Sequence, residues 1–201
     1  MTQRQTAPAV ARNREPILEV LKGWLPNKKG SLILEIASGT GEHAVFFAPH
    51  FPESTWQPTD QDTSAKASIA AWIDEAGASN VFLPLSLDVS DARWPVDKAE
   101  AMVCINMIHI SPWACTEALM AGAARTLTPG GVLATYGPYK REGRHTAPSN
   151  AEFDASLKSR NPDWGIRDLD DVAIEARKNG LACKEIVEMP ANNFCVLFEK
   201  M

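Results

Sequence analysis

The segment Leu32-Ile33-Leu34-Glu35-Ile36-Ala37-Ser38-Gly39-Thr40-Gly41-Glu42-His43 constrains this chain more than any other. An apolar run ends in an acid, a loop of small residues follows, and a helix-compatible stretch begins. That order reads as strand, tight turn and helix start, which brings backbone close to a nucleotide-like ligand. Dinucleotides and adenosyl cofactors are both held by versions of such a loop, so residues further along must separate them.

Strand-like and helix-like patterns alternate downstream. Strands are predicted at 31–37, 54–59, 81–87, 99–107 and 131–136, with helices at 41–49, 64–76 and 113–127. This alternation marks a doubly wound α/β sheet. The run 99–107 is almost wholly apolar, as a strand buried on both faces must be. Ahead of the loop, residues 1–13 read as irregular. A short amphipathic helix then opens at Pro16, with Ile17, Leu18, Leu21, Trp24 and Leu25 facing one side.

The last quarter has a different pattern. A helix over 168–179 stops at Gly180, a helix C′ position. Strand-like runs at 183–189 and 194–200 follow, separated only by Pro190-Ala191-Asn192-Asn193. A parallel pair needs a crossover of about a dozen residues, so these two must form an antiparallel hairpin. Such a hairpin is not the usual end of a dinucleotide fold.

With 201 residues, 45% hydrophobic and 22% charged, the chain suits a single domain with its own core. A net charge of −5 argues against a nucleic-acid-binding face, which is basic. The densest basic patch, Lys140, Arg141, Arg144 and His145, reads as a solvated loop. The four cysteines, Cys104, Cys115, Cys183 and Cys195, have no zinc spacing, and no metal is indicated. Met1 to Arg14 lacks the apolar core of a signal peptide, and no apolar stretch approaches the roughly 20 residues of a membrane span. A cytoplasmic protein without a membrane partner is the expectation, as a monomer or a homodimer.

An adenosyl ligand in an open parallel sheet lies outside the carboxyl ends of the strands. Small residues should line the first loop, and Ala37, Gly39 and Gly41 do. An acid should end the second strand, to accept from ribose hydroxyls, and Asp60 does, with Asp62 as a weaker alternative. Asp88 ends the third strand, placed to accept from an adenine amino group, and apolar Val89 can pack on the ring. The fourth strand runs out at Asn106-Met107-Ile108-His109.

Together these features resemble the class I S-adenosylmethionine-dependent methyltransferases over nearly the whole chain. Glu35 to Gly41 is similar to their first motif, with Ala37 in place of the usual first glycine. The resemblance implies a Rossmann-like α/β fold of seven mostly parallel strands in the order 3-2-1-4-5-7-6. Helices would cover both faces, and an antiparallel hairpin would close the C-terminus. Residues 1–30 would form an N-terminal lid and helix, and residues 31–201 the core. It implies S-adenosylmethionine as cofactor, with S-adenosylhomocysteine as product. Glu35, Ala37, Ser38, Gly39 and Gly41 would hold its methionine end, Asp60 the ribose, and Asp88 with Val89 the adenine. Asn106 and Met107 would line its inner side.

A narrower resemblance rests on five separated segments. They are Ala7-Pro8-Ala9 with Arg12-Asn13 and Pro16-Ile17-Leu18; Ile105 to Trp113; Tyr136-Gly137-Pro138-Tyr139; Asn161 to Asp168; and Met189 to Asn193. These resemble the DUF938 family, the group that includes methyltransferase-like protein 26. The resemblance supports the fold and the cofactor and gives no substrate; a small-molecule nucleophile is expected from the lack of a basic tract or appended recognition domain.

His109, just beyond the fourth strand, is the candidate general base, since an imidazole titrates near neutrality. It could equally be structural. Arg12, Asn13, Trp113, Tyr139, Trp164, Arg167, Asn192 and Asn193 are candidate substrate contacts, each also readable as packing, turn or surface residues. Two rival functions stay open. Gly39-x-Gly41-x-x-Ala44 with Asp60 also satisfies a nicotinamide-binding fingerprint, and so an NAD(P)-dependent oxidoreductase. An inactive S-adenosylmethionine-binding or scaffold module is the other.

Overall fold

Alternation along the strands decides which side of the sheet each residue packs on. The computed structural model describes residues 4–201. The strands are β1 (Leu32–Ile36), β2 (Thr55–Asp60), β3 (Leu85–Ser86), β4 (Ala99–Ile105), β5 (Leu127–Gly137), β6 (Lys140–Arg141), β7 (Arg144–His145), β8 (Leu181–Met189) and β9 (Asn193–Lys200). Seven of them form one sheet in the order β3-β2-β1-β4-β5-β9-β8, while β6 and β7 make a separate small hairpin. The first five are parallel, and β9 runs antiparallel to both β5 and β8. This is the expected 3-2-1-4-5-7-6 order, renumbered by the small hairpin.

The helices are α1 (Pro8–Trp24), α2 (Glu42–Phe47), α3 (Thr63–Ala76), α4 (Trp113–Thr126), α5 (Pro148–Arg160) and α6 (Leu169–Lys178). Successive strand side chains point to opposite faces, so β1 feeds two cores. Ile33 packs with Ile17, Leu18 and Leu21 of α1, Phe47 of α2 and Trp56 of β2. Leu34 and Ile36 pack with Leu119 and Met120 of α4 and Val172 and Ala176 of α6. Each such large side chain contributes roughly 1.5–3 kcal/mol on burial.

Several boundaries differ from expectation. The first helix starts at Pro8, so residues 8–13 are helical and Pro16 lies inside α1 rather than in its first turn. Proline has no N–H for the Arg12 carbonyl one turn back, normally a cost of about 3 kcal/mol; burial of Val10, Ile17, Leu18 and Leu21 offsets it. Of the expected irregular segment, residues 1–3 lie outside the described residues. Ahead of α1, the Gln5 N–H donates to Ser68 Oγ at 2.8 Å, and the Ala7 N–H donates to Glu42 Oε2 at 2.7 Å. These bonds tie residues 5–7 to α3 and to the first turn of α2.

The third strand shrinks to Leu85–Ser86 plus one bridge from Val81 to Trp56. Pro84 cannot donate to a ladder. The side-chain amide of Gln57 spans the gap, donating to the Pro58 and Leu83 carbonyls at 2.9 Å each. The fourth strand stops at Ile105 because Asn106 turns left-handed (φ 62°), and a 3-10 turn over Met107–His109 follows. Helix α5 and the β6–β7 hairpin had no sequence expectation. The apolar pattern of α5 is sparse, with Leu157 its one fully buried apolar residue.

Candidate functional site

The carboxyl ends of β1, β2 and β4 and the segment after β3 surround a cavity of about 330 Å³. Its floor begins in the glycine loop. Ala37 takes φ 54°, Gly39 φ 58° and Gly41 φ 90°. A left-handed alanine costs roughly 1–2 kcal/mol, so the Ala37 departure from glycine strains the loop. The two glycines differ in their surroundings. A Cβ on Gly41 would stand 2.7 Å from the Ile69 Cα of α3, whereas one on Gly39 would meet nothing within 4 Å. Gly39 therefore faces open space and lines the cavity, while Gly41 lets a helix pack close.

Asp60 holds this loop from the side. Its Oδ2 accepts the Gly39 N–H and its Oδ1 the Asp62 N–H, both at 2.9 Å. Asp62, the weaker alternative, instead caps α3 by accepting the Ala65 N–H at 2.9 Å. Asp88 borders the same cavity, with Oδ1 accepting from the Ser90 N–H at 2.9 Å and the Ser90 hydroxyl at 2.7 Å. Leu87, Val89, Ile105 and Met107 give it apolar walls. Gln61, Ile110, Ser111 and Cys115 also line it and had no sequence expectation. Gln61 directly follows Asp60 and was findable; Ser111 and Cys115 reach the cavity only through the 3-10 turn that redirects the chain after β4.

Two expected cofactor residues lie deeper. Glu35 is buried beneath the loop, where Oε2 accepts the Trp56 indole N–H at 2.8 Å. Burial raises its pKa to about 7, against the lowering effect of the Trp56 and Ser38 hydrogen bonds. The Ser38 Oγ faces the Thr59 N–H at 3.2 Å. Both act from underneath and hold the loop on β2. Asn106 sits beside the cavity wall, its N–H donating to the Tyr136 carbonyl at 2.8 Å.

His109 is not brought to the cavity. It is 1% exposed, with its ring edge-on to Tyr139 at 4.9 Å. The Arg167 N–H approaches Nδ1 at 3.4 Å, and Nε2 is buried without a partner. Burial, then the Arg167 charge, lowers its pKa to about 3, so the ring is neutral. A general base must reach a substrate proton, and this imidazole is buried with Nε2 against Gly137 and does not line the cavity. The structural alternative fits this geometry better than the catalytic one.

The candidate substrate contacts do not gather in one place. Tyr139 is fully buried and shares a 2.8 Å hydrogen bond with Thr135, a correction to its expected opening towards substrate. It packs on His109 and Phe194. Arg167 is a staple: Nε donates to the Ile108 carbonyl at 3.0 Å, and the guanidinium also reaches the Ser111 and Asp163 carbonyls. It lies 5.9 Å from the Trp113 ring, and Trp164 is covered by Arg160 instead. Asn13 is buried against His43 Nε2 at 2.9 Å, while Arg12 is exposed. Asn192 and Asn193 border a different cavity at the β8–β9 tip. Among the described residues there is no cluster of three or more metal-ligating side chains, and no helix is long and apolar enough to cross a membrane.

Known structures share this architecture. An O-methyltransferase family protein from Burkholderia thailandensis superposes with a TM-score of 0.82 at 17% identity, covering 96% of this chain and 57% of that one. An O-methyltransferase family 2 protein from Planctomyces limnophilus, in complex with apigenin, gives 0.79 at 18% identity, covering 96% and 60%. The S-adenosylmethionine-dependent methyltransferase SibL, in its apo form, gives 0.78 at 17%, covering 96% and 55%. The chain thus spans somewhat over half the length of these proteins, and at such identities the likeness carries the fold. It is the Rossmann-like fold of the class I methyltransferases. Residues 4–200 match the model of the family described as "Protein of unknown function (DUF938)", and the chain belongs to that family.

Proposed function

We propose that this chain binds S-adenosylmethionine in the 330 Å³ cavity and transfers its methyl group to a small-molecule nucleophile. One observation carries the reading. Gly39 points an empty Cβ position into a cavity whose rim holds the acids that end β2 and follow β3.

The acceptor set fits an adenosyl group. A carboxylate has about four acceptor sites. Each oxygen of Asp60 accepts one backbone N–H, which leaves capacity for ribose hydroxyls. Asp88 uses Oδ1 on Ser90, which leaves Oδ2 for an amino donor. Val89 and Leu87 offer apolar surface to a ring. Ala37 and Gly39 would hold the methionine end, and Met107 would line the inner side, with Glu35, Ser38, Gly41 and Asn106 supporting them from behind. The names of the structural neighbours lend support from the same fold.

When bound, S-adenosylmethionine supplies an electrophilic methyl on a sulfonium. The residues of this chain contribute orientation and exclusion of water, effects that together can supply several kcal/mol. The apolar walls of Ile105, Met107 and Ile110 serve the second. His109 stays neutral and props the Met107–His109 turn that carries Met107 to the cavity. Co-crystallisation with S-adenosylhomocysteine tests the reading. The ribose hydroxyls should meet Asp60 and the adenine should lie at Asp88 and Val89; a ligand outside this cavity would overturn it.

A further inference from the structure

A second cavity, of about 520 Å³, opens between the β6–β7 hairpin and the tip of the β8–β9 hairpin. Its volume is within the range of small-molecule sites. It shares no lining residue with the cofactor cavity.

Its walls are charged, and the charges are unspent. Arg141 stands over the Phe194 ring at 5.9 Å, and Glu188 pairs with Phe194 across the strands. Opposite charges thus flank one aromatic side chain. Among the described residues, neither Arg141 nor Glu188 has an ion-pair partner, including each other. Its apolar lining is Phe194 on the face shared with Glu188, 7% exposed, and Met189 at the strand end on the opposite face, 8% exposed.

The cavity is also built from below. Asn150, 6% exposed, donates through Nδ2 to Thr146 Oγ1 at 3.0 Å and to the Asn192 carbonyl at 2.9 Å. One buried amide therefore fixes two lining residues from opposite walls. The Asn193 side chain donates to the Pro190 and Ala191 carbonyls and holds the tip in place. Glu142, Ala191 and Asn192 all keep positive φ (51°, 57° and 57°) around this opening. Strained backbone persists where surroundings over-determine it, and such positions cluster at ligand clamps.

We propose that this cavity is a binding site for an amino-acid zwitterion, with the carboxylate on Arg141, the ammonium on Glu188 and the side chain against Phe194. A zwitterion supplies both missing counter-charges at once, which neither an anion nor a cation does. Asn192 adds an amide at the rim.

The test is a titration of the full chain followed by NMR chemical shifts, with three probes of one shape. L-phenylalanine keeps both charges, L-phenylalaninamide lacks the carboxylate, and N-acetyl-L-phenylalanine lacks the ammonium. The zwitterion should bind about tenfold tighter than either analogue, as the loss of one charge-assisted contact implies. Shifts should centre on residues 141–146 and 188–194. Glu188→Gln should remove the advantage over the N-acetyl probe, and Arg141→Gln the advantage over the amide. Both residues are exposed, so both variants should fold as the parent does. Equal affinities for the three probes, shifts elsewhere, or no saturation by the zwitterion up to roughly 10 mM would overturn the proposal. S-adenosylhomocysteine titrated alone reads the other cavity and reports separately on the methyltransferase reading.

Discussion

Gly39 and Gly41 lie two residues apart, both with positive φ, yet alanine at each should fail differently. Either substitution places an L side chain in left-handed backbone, at about 1–2 kcal/mol. For Gly39→Ala that is the whole structural cost, because the new methyl meets no protein atom within 4 Å. In Gly41→Ala the Cβ stands 2.7 Å from a backbone atom, the Ile69 Cα, which has no rotamer to escape into. Overpacking of this kind adds about 1–3 kcal/mol. On a chain this size each kcal/mol moves the melting temperature by about 2–4 °C. Gly39→Ala should melt about 2–8 °C below the parent and Gly41→Ala about 4–20 °C below it. Thermal melts with and without S-adenosylhomocysteine separate stability from binding. At about 100 times its Kd the ligand adds about 2.7 kcal/mol, a rise of about 5–11 °C. The parent should show that rise, and Gly39→Ala should lose most of it while keeping a cooperative melt. If Gly39→Ala melts as low as Gly41→Ala, or if ligand raises it as far as the parent, the assignment of Gly39 to the ligand surface is wrong.

Other outcomes follow from the same structure. Ala37→Gly relieves a left-handed alanine and should stabilise the chain by up to about 1 kcal/mol, read by urea denaturation. Gly122→Ala should destabilise it by about 1–3 kcal/mol despite better helix propensity, because the new methyl would run into the Trp94 ring. His109, held near pKa 3, and His43, near 4, are neutral in the fold but protonate at about 6.5 when unfolded. Their contribution is complete above about pH 6.5 and falls as pH drops towards those values, by up to roughly 1.4 kcal/mol per pH unit each. Glu35 runs the opposite way, since its folded pKa of about 7 exceeds its unfolded value and costs stability as pH rises through 4.5–7. Glu35→Gln, which keeps an acceptor for Trp56, should therefore gain on the parent most clearly at pH 8, by on the order of 2–3 kcal/mol in chemical denaturation. No gain there would mean that Glu35 is not held against ionisation.

The core strands and the placement of Gly39, Asp60, Asp88 and Val89 were legible because each depends on local pattern: an apolar run, then a small residue or an acid where it ends. The order of the strands came from the resemblance to the class I methyltransferases. What lay beyond reading depends on long-range contact. Nothing local tells that the His109 ring turns away from the cavity, since its burial comes from Arg167, Gly165 and Tyr139, arriving from distant segments. Tyr139 faces inward against His109 and Phe194, both remote in sequence, and its hydroxyl finds Thr135 there. Helix α5 is nearly silent in the sequence because it stands on polar anchors instead of an apolar stripe. Asp154 draws Lys158, Lys140 and the Ile166 N–H, and burial, which would raise its pKa, is outweighed by them so that it is lowered. Pro16 misled for a related reason: proline commonly opens helices, but here packing on either side carries α1 through it.

Isothermal titration calorimetry of the full chain with S-adenosylhomocysteine, beside NADH under the same conditions, tests the central claim most directly. The expected result is saturable binding of one S-adenosylhomocysteine per chain, abolished by Gly39→Val, and no heat from NADH. Saturable NADH binding with no response to S-adenosylhomocysteine would contradict it.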